Sequence, residues 1–260
     1  MSGLVRSESS CRELARMGMS CLALDVDAMP LGGLAPGGTR LFYFLPPPGE
    51  GETDPRIRSL QTACEADGHP RRILYLSTTG VYGDCKGETV DETRPVNPVA
   101  LRARRRWDAE ERFRAWRSTA GFELIILRVA GIYGPGRLPL ERIRRRLPLI
   151  RPEEAPWTNR IHVDDLVRVC VAAMEKGKDG GVYNVSDGSP GTMTDYFNRI
   201  ADMAGLPRPP LISMGEGEQQ LSPGMMSYMR ESRRLDNRKM LEELGVELRY
   251  PNLEAGLAAC

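Results

Sequence analysis

The stretch that decides the fold is Arg72-Ile-Leu-Tyr-Leu-Ser-Thr-Thr-Gly-Val-Tyr-Gly-Asp84. It begins with an apolar, β-favouring run, Ile73 to Leu76, too short for a helix and without polar alternation, which is the pattern of a parallel strand buried on both faces. The run then gives way to hydroxyls and glycines, so the strand ends at Ser77, Thr78 and Thr79. Open α/β sheets bind ligands beyond the carboxyl ends of their strands, and hydroxyls placed there can reach a substrate.

The same grammar extends to both sides. Upstream, Gly3 to Arg6 reads as the end of a strand, Ser7 as the cap of a helix running to Gly18, and Ser20–Leu24 and Arg40–Leu45 as two further strands. Thr53-Asp54-Pro55, with the Thr53 hydroxyl as cap and Pro in the first turn, opens a helix that ends at Gly68. Downstream, Phe122 to Arg128 is a second buried strand, Arg160 to His162 a short strand turning into a helix capped by Asp164 or Asp165, and Gly181 to Asp187 another strand. Thr192 or Thr194 caps the helix that follows, and a final helix spans Leu235 to Gly245. Pro207 to Met229 shows no clear period. Strand and helix alternating in this way predict parallel βα units.

Bulk properties exclude several classes. Lys+Arg 36 against Asp+Glu 35 in 260 residues leaves a net charge of +1, so no global field favours nucleic acid or an anionic membrane. The cysteines at 11, 21, 64, 85, 170 and 260 form no C-x-x-C pair, and His69 and His162 are the only histidines, which argues against a metal site or disulfide framework and for a reduced, cytoplasmic setting. No apolar run approaches the length of a membrane span, and no signal-peptide pattern follows Met1.

Four segments in order, Thr78-Thr-Gly-Val-Tyr-Gly83, Arg128-Val-Ala-Gly-Ile-Tyr-Gly-Pro-Gly136, His162-Val-Asp-Asp-Leu166 and Tyr183-Asn-Val185, resemble the extended short-chain dehydrogenase/reductase family, the NAD(P)-dependent epimerases and dehydratases of nucleotide sugars. The resemblance implies a doubly wound parallel Rossmann-like sheet over residues 1–190 and a small C-terminal substrate lobe over 191–260. Thr78 takes the place of the catalytic hydroxyl. Arg6, at the strand tip that meets the adenosine ribose, is either a partner for a 2′-phosphate or a solvated strand-end arginine, which leaves NADP and NAD both open. Asp25 matches the aspartate at the adenine edge, or simply forms a turn. Leu45 and Pro46 wall the cofactor, Ser77 borders it, and Tyr133 lies in the loop covering its nicotinamide end.

Two departures qualify the resemblance. Family members open with a strand and a Gly-rich turn that cradles the pyrophosphate, whereas no G-x-x-G-x-x-G occurs in the first hundred residues. The chain therefore resembles a member lacking its first βα unit, with weakened cofactor binding. The family's catalytic helix carries Tyr-x-x-x-Lys with a Glu four residues on. Anchoring on Glu110 puts Arg102 at the Tyr position and Arg106 at the Lys position. Guanidinium stays protonated and has no acceptor, so Arg102 cannot act as a general acid or base near neutrality. Arg106 can hold a ribose or phosphate. This matches an atypical subgroup of the family.

The expectation is an NAD(P)-dependent oxidoreductase or epimerase-like protein acting on a nucleotide-linked or other anionic small molecule, with a homodimer left open. The competing expectations are a dinucleotide-binding protein without turnover and an inactive, N-terminally truncated member. On purely local grounds the arginines of 102–106, alternating with Asp108, Glu110 and Glu111, equally describe a solvated ion-pair face.

Overall fold

The computed structural model describes residues 2–28, 31 and 36–260. Six strands carry the architecture: β1 (Ser2–Val5), β2 (Ser20–Ala23), β3 (Arg40–Tyr43), β4 (Arg72–Thr78), β5 (Glu123–Val129) and β6 (Val182–Val185). The last four form one parallel sheet in the order β6-β5-β4-β3. The stretch quoted first thus lies in the sheet interior, bonded on both sides, with Tyr75 opposite Tyr43 and Ile126.

Successive side chains of a strand point to opposite faces, and here both faces are covered. Ile73, Tyr75, Leu124 and Ile126 pack with Ile57 and Leu60 of α2 (Arg56–Asp67) and Phe113 and Trp116 of α3 (Leu101–Ala120). Leu74, Ile125 and Leu127 pack on the other side with Leu166, Val169 and Ala173 of α4 (Val163–Lys176). That double burial is why β4 reads as a continuous apolar run. The chain is an α/β protein with a parallel, Rossmann-like sheet.

The amino-terminal part differs from a continuous sheet. β1 and β2, joined by α1 (Glu8–Arg16), make a separate parallel pair. Among the described strands β1 bonds only β2 and β3 bonds only β4, so the ladder is interrupted between them.

Helix starts follow local chemistry, with two corrections. Ser7 caps α1 as expected, its hydroxyl accepting from Ser10 N–H. At α2 the Thr53 hydroxyl is not the cap; Asp54 Oδ1 accepts from Arg56 N–H at 3.1 Å. At α4 neither Asp164 nor Asp165 caps. His162 Nδ1 accepts from Asp164 N–H at 3.2 Å, and Asp165 is instead turned to the backbone N–H groups of Arg249 and Tyr250, both at 2.8 Å. Thr192 caps α5 (Met193–Met203), while Thr194 donates to the Ile150 carbonyl.

The segment without a readable period resolves into short pieces. Leu211–Ile212 pairs with Leu149–Ile150, Met214–Gln220 is a helix closed by a Ser213/Glu216 capping box, and α6 (Pro223–Met229) begins at Ser222. The last long element, α7 (Arg238–Leu244), places Met240 and Leu244 in the cluster behind the sheet, with α4. Among the described residues no helix is long and apolar enough to cross a membrane.

Candidate active-site cleft

A cleft of about 460 Å³ opens beyond the carboxyl ends of β4 and β5. Thr78, Arg102, Arg106, Arg160, Arg233 and Glu231 line it, together with Leu76, Ser77, Ala130 and Gly131. The three residues read as catalytic from sequence, Thr78, Arg102 and Arg106, are therefore brought together.

Thr78 is the last residue of β4 and caps a single 3₁₀ turn, Thr79–Tyr82, its Oγ1 accepting from Gly80 N–H at 3.2 Å. That bond uses an acceptor lone pair and leaves the hydroxyl hydrogen to be donated into the cleft. Its neighbour Ser77 is committed elsewhere. Ser77 Oγ donates to Glu110 Oε1 at 2.6 Å, and Arg128 at the end of β5 donates to both carboxylate oxygens of Glu110, at 3.2 and 2.9 Å. Arg114 adds a second guanidinium at 2.7 Å. Glu110 is wholly buried, and Arg128 is 3% exposed. One carboxylate therefore ties α3 to the tips of the two central strands and fixes where Thr78 emerges. Arg128 also lies over the Tyr82 ring at 4.9 Å, and Tyr82 donates to Asn184 Oδ1 at 2.7 Å.

The arginine helix is not a uniformly solvated face. Arg105 is buried and donates to the Gly51 carbonyl at 2.7 Å, whereas Arg104 pairs with Glu52 at the surface. Arg106 Nη1 reaches the Leu76 carbonyl at 3.0 Å and the Leu45 carbonyl and Tyr75 hydroxyl at 3.3 Å. It thus bridges the ends of β3 and β4. Arg102 donates to the Ser227 hydroxyl, stacks on the Tyr228 ring at 3.7 Å from its centroid, and stands 3.9 Å from Glu231. The arginine at the expected tyrosine position therefore fastens α3 to α6.

The other sequence-derived cofactor residues lie apart from this cleft. Arg6 and Asp25, at the tips of β1 and β2, pair with each other at 3.2 Å on the surface, Arg6 being 78% exposed. Leu45 and Pro46 offer carbonyls to Arg106 and Arg56, and it is Pro47 that lines the cleft. Tyr133 is fully buried, its hydroxyl donating to the Asn252 carbonyl at 3.3 Å.

Sequence reasoning missed the opposite wall. Asn159 pins that wall, its Nδ2 donating to the Arg233 carbonyl and its Oδ1 accepting from Leu235 N–H. Glu231 is 7% exposed and pairs with Arg233 at 3.1 Å. Arg160 was legible only as one letter in front of Ile-His. Next to it, burial pushes the Asp187 carboxyl up from 3.8 to about 7.

The folded protein thus holds the Asp187 proton more tightly than the unfolded chain. The carboxylate costs stability increasingly as pH rises from about 4, and in full above about 7. Asp187→Asn is expected to be more stable than wild type at pH 8 by about 2–4 kcal/mol, with the difference fading below about pH 4. Urea titrations at the two pH values check this, and equal increments at both would contradict it.

A dinucleotide can be tested against these residues. The strand-end hydroxyl, the Arg106 guanidinium and the small lining residues Ala130 and Gly131 suit its nicotinamide riboside half. No Gly-rich turn stands beside them among the described residues. Nor, among those residues, does any group of three His, Cys, Asp or Glu side chains stand where it could hold a metal ion.

With this geometry in place, comparison with known proteins is informative. Residues 57–186 match the model of the NAD dependent epimerase/dehydratase family. A functionally unknown conserved protein from Silicibacter pomeroyi DSS superposes with a TM-score of 0.83 at 35% identity, over 99% of this chain and 88% of that one. The Escherichia coli K12 protein YeeZ is 29% identical over 183 residues, 70% of this chain but only 59% of its own length. A Bacillus cereus UDP-glucuronic acid 4-epimerase solved with NAD shares the fold, with a TM-score of 0.75 at 17% identity, covering 99% of this chain and 88% of its own. The matched region spans α2, the hydroxyl-tipped β4, α3 with its Glu110 anchor, and β6, so sequence and fold agree, and the chain belongs to the NAD-dependent epimerase/dehydratase family.

Proposed function

We propose that the chain is an NAD(P)-dependent oxidoreductase or epimerase-like protein acting on a nucleotide-linked or other anionic small molecule. The observation that supports this most is the convergence, on one cleft at the tip of the central strand, of the Thr78 hydroxyl with four arginines against a single carboxylate, Glu231. Bound at Thr78, a substrate oxygen receives a hydrogen bond that draws charge onto it. Arg106, held on the strand-end carbonyls, presents the rest of its guanidinium to a ribose or phosphate. When bound, the nicotinamide supplies hydride transfer. Such an Arg-rich cleft suits a nucleotide-linked substrate of the kind named for the Bacillus cereus neighbour.

Calorimetry with NADP and NAD is expected to give dissociation constants in the range of about 10 µM or weaker, a binding free energy of about −7 kcal/mol or less favourable. Arg106→Gln should weaken binding further. Absence of any heat at millimolar cofactor would overturn the reading. Thr78→Ala should abolish any turnover found with nucleotide sugars; unchanged rates would remove this hydroxyl from the mechanism.

One observation favours a second reading, a dinucleotide-binding protein without redox turnover. Arg102 is engaged by Ser227 and Tyr228 and has no lone pair with which to accept a proton. Binding of cofactor with no exchange of the nicotinamide C4 hydrogen, under any substrate tried, is its signature.

A further inference from the structure

Arg160 is the cleft arginine whose charge is least answered by the protein. Arg233 has Glu231 at 3.1 Å, and Arg102 has the same carboxylate at 3.9 Å. Arg106 rests on three oxygen acceptors gathered at the strand ends. Arg160 has one carbonyl, that of Asn159 at 2.9 Å, and the Met193 thioether at 3.2 Å, a weak acceptor. Its guanidinium carbon lies 4.3 Å from the centre of the Tyr196 ring. No carboxylate stands within ion-pair distance of it among the described residues.

The charged neighbours do not change this. Asp187 is next to Arg160, and the guanidinium's charge pulls against the upward push of burial on its carboxyl, but the two form no ion pair: Asp187 Oδ1 accepts from Ser189 N–H at 3.0 Å, and its Oδ2 is buried without a partner. Asp195 is taken by Arg199 at 2.8 Å. A guanidinium cannot shed its proton to escape burial, so a half-enclosed one without a carboxylate is either a cost or a site.

Position favours a site. Arg160 and Thr158 line the cleft and also a second cavity of about 260 Å³, whose lining includes Ser189, Thr192 and Tyr196 and the charged Asp195, Arg199 and Glu254. Arg160 therefore belongs to the lining of both cavities, with donors left over, one of the two being the cleft that Thr78 also lines. Arginine in such a place offers paired N–H groups to two oxygens of one anion.

The structure assigns Arg160 the recognition of the substrate's anionic group, a carboxylate or phosphoryl seated between the two cavities, while Thr78 meets the reacting oxygen. This rests on the reading that the cleft takes an anionic small molecule, and is independent of redox turnover.

The test uses inorganic pyrophosphate and malonate, matched multiply charged probes, in calorimetry at pH 7 on wild type, Arg160→Gln and Arg160→Lys. At least one probe should bind wild type, at least tenfold more weakly to Arg160→Gln, with Arg160→Lys between. Pyrophosphate dependence alone marks a phosphoryl group, malonate dependence alone a carboxylate. NADP affinity should be unchanged in Arg160→Gln, which places the residue on the substrate side. In wild type, the bound probe should also protect Arg160 from phenylglyoxal, read by peptide mass, so the result does not hang on a variant that folds poorly. Failure of both probes to bind wild type, equal affinity in Arg160→Gln, or loss of NADP binding in that variant would overturn the assignment. If wild type binds pyrophosphate through Arg160 but no NADP, this inference stands and the redox reading falls.

Discussion

Glu110→Ala should destabilise the protein by about 3–5 kcal/mol, the cost of leaving a buried arginine without its counter-charge. Arg128 would keep its charge at 3% exposure, and Ser77 would lose its acceptor. For a chain of this size that loss corresponds to a fall in Tm on the order of 10 °C. Adding Arg128→Met should recover much of it, because the uncompensated charge is then removed as well. Thermal unfolding of the two single variants and the double variant reads the coupling directly. Additive losses would show that the Glu110–Arg128 contact does not hold the strand tips. Since Ser77 adjoins Thr78, Glu110→Ala should also weaken cofactor binding at temperatures where the variant remains folded.

Gly83→Ala should be of similar severity, at upwards of about 3 kcal/mol. Gly83 has φ +68°, and a Cβ there would sit inside van der Waals contact with the Asn97 carbonyl oxygen. That carbonyl cannot easily retreat, since Asn97 N–H is held by the Val81 carbonyl at 2.9 Å. Gly121, which ends α3 at φ +73° with nothing within 4 Å of its would-be Cβ, is the matched comparison. Gly121→Ala should cost only about 1–2 kcal/mol, the left-handed backbone alone. Equal losses at the two positions would mean that the loop around Gly83 yields, and that the close approach does not fix the turn after Thr78.

These two positions show what sequence reveals well and what it does not. β4 was legible because burial on both faces leaves an unbroken apolar run, and Thr78 because the run stops at hydroxyls. Glu110 could be found by spacing, but its burial could not: in α3 it sits among Asp108, Glu111 and five arginines within residues 102–112, and a letter string gives a buried carboxylate and a solvated one the same appearance. The start of α2, at Pro55, has no side-chain cap, and at α4 the cap went to the less obvious His162 for a related reason. Asp165 has a better use, two backbone N–H groups from Arg249 and Tyr250, and that pairing spans more than eighty residues of sequence. Arg6 and Asp25 each fitted a family position, yet in space they answer one another. The helices within Pro207–Met229 are seven residues long, too short for a 3.6-residue period to show, though Ser213-x-x-Glu216 and Ser222-Pro223 did carry start signals. The far wall of the cleft, with Arg160, Glu231 and Arg233, comes from segments about seventy residues apart, and only the fold brings them together.

The central claim is that a nucleotide-bearing ligand lies across the tip of β4, against Thr78 and Arg106. Hydrogen exchange with and without saturating NADP tests it most directly, because it locates the ligand whether or not the reaction is known. The account predicts added protection in residues 76–80 and 129–132, with little change at the surface pair Arg6 and Asp25. Protection confined to other segments, or none at saturation, would contradict it.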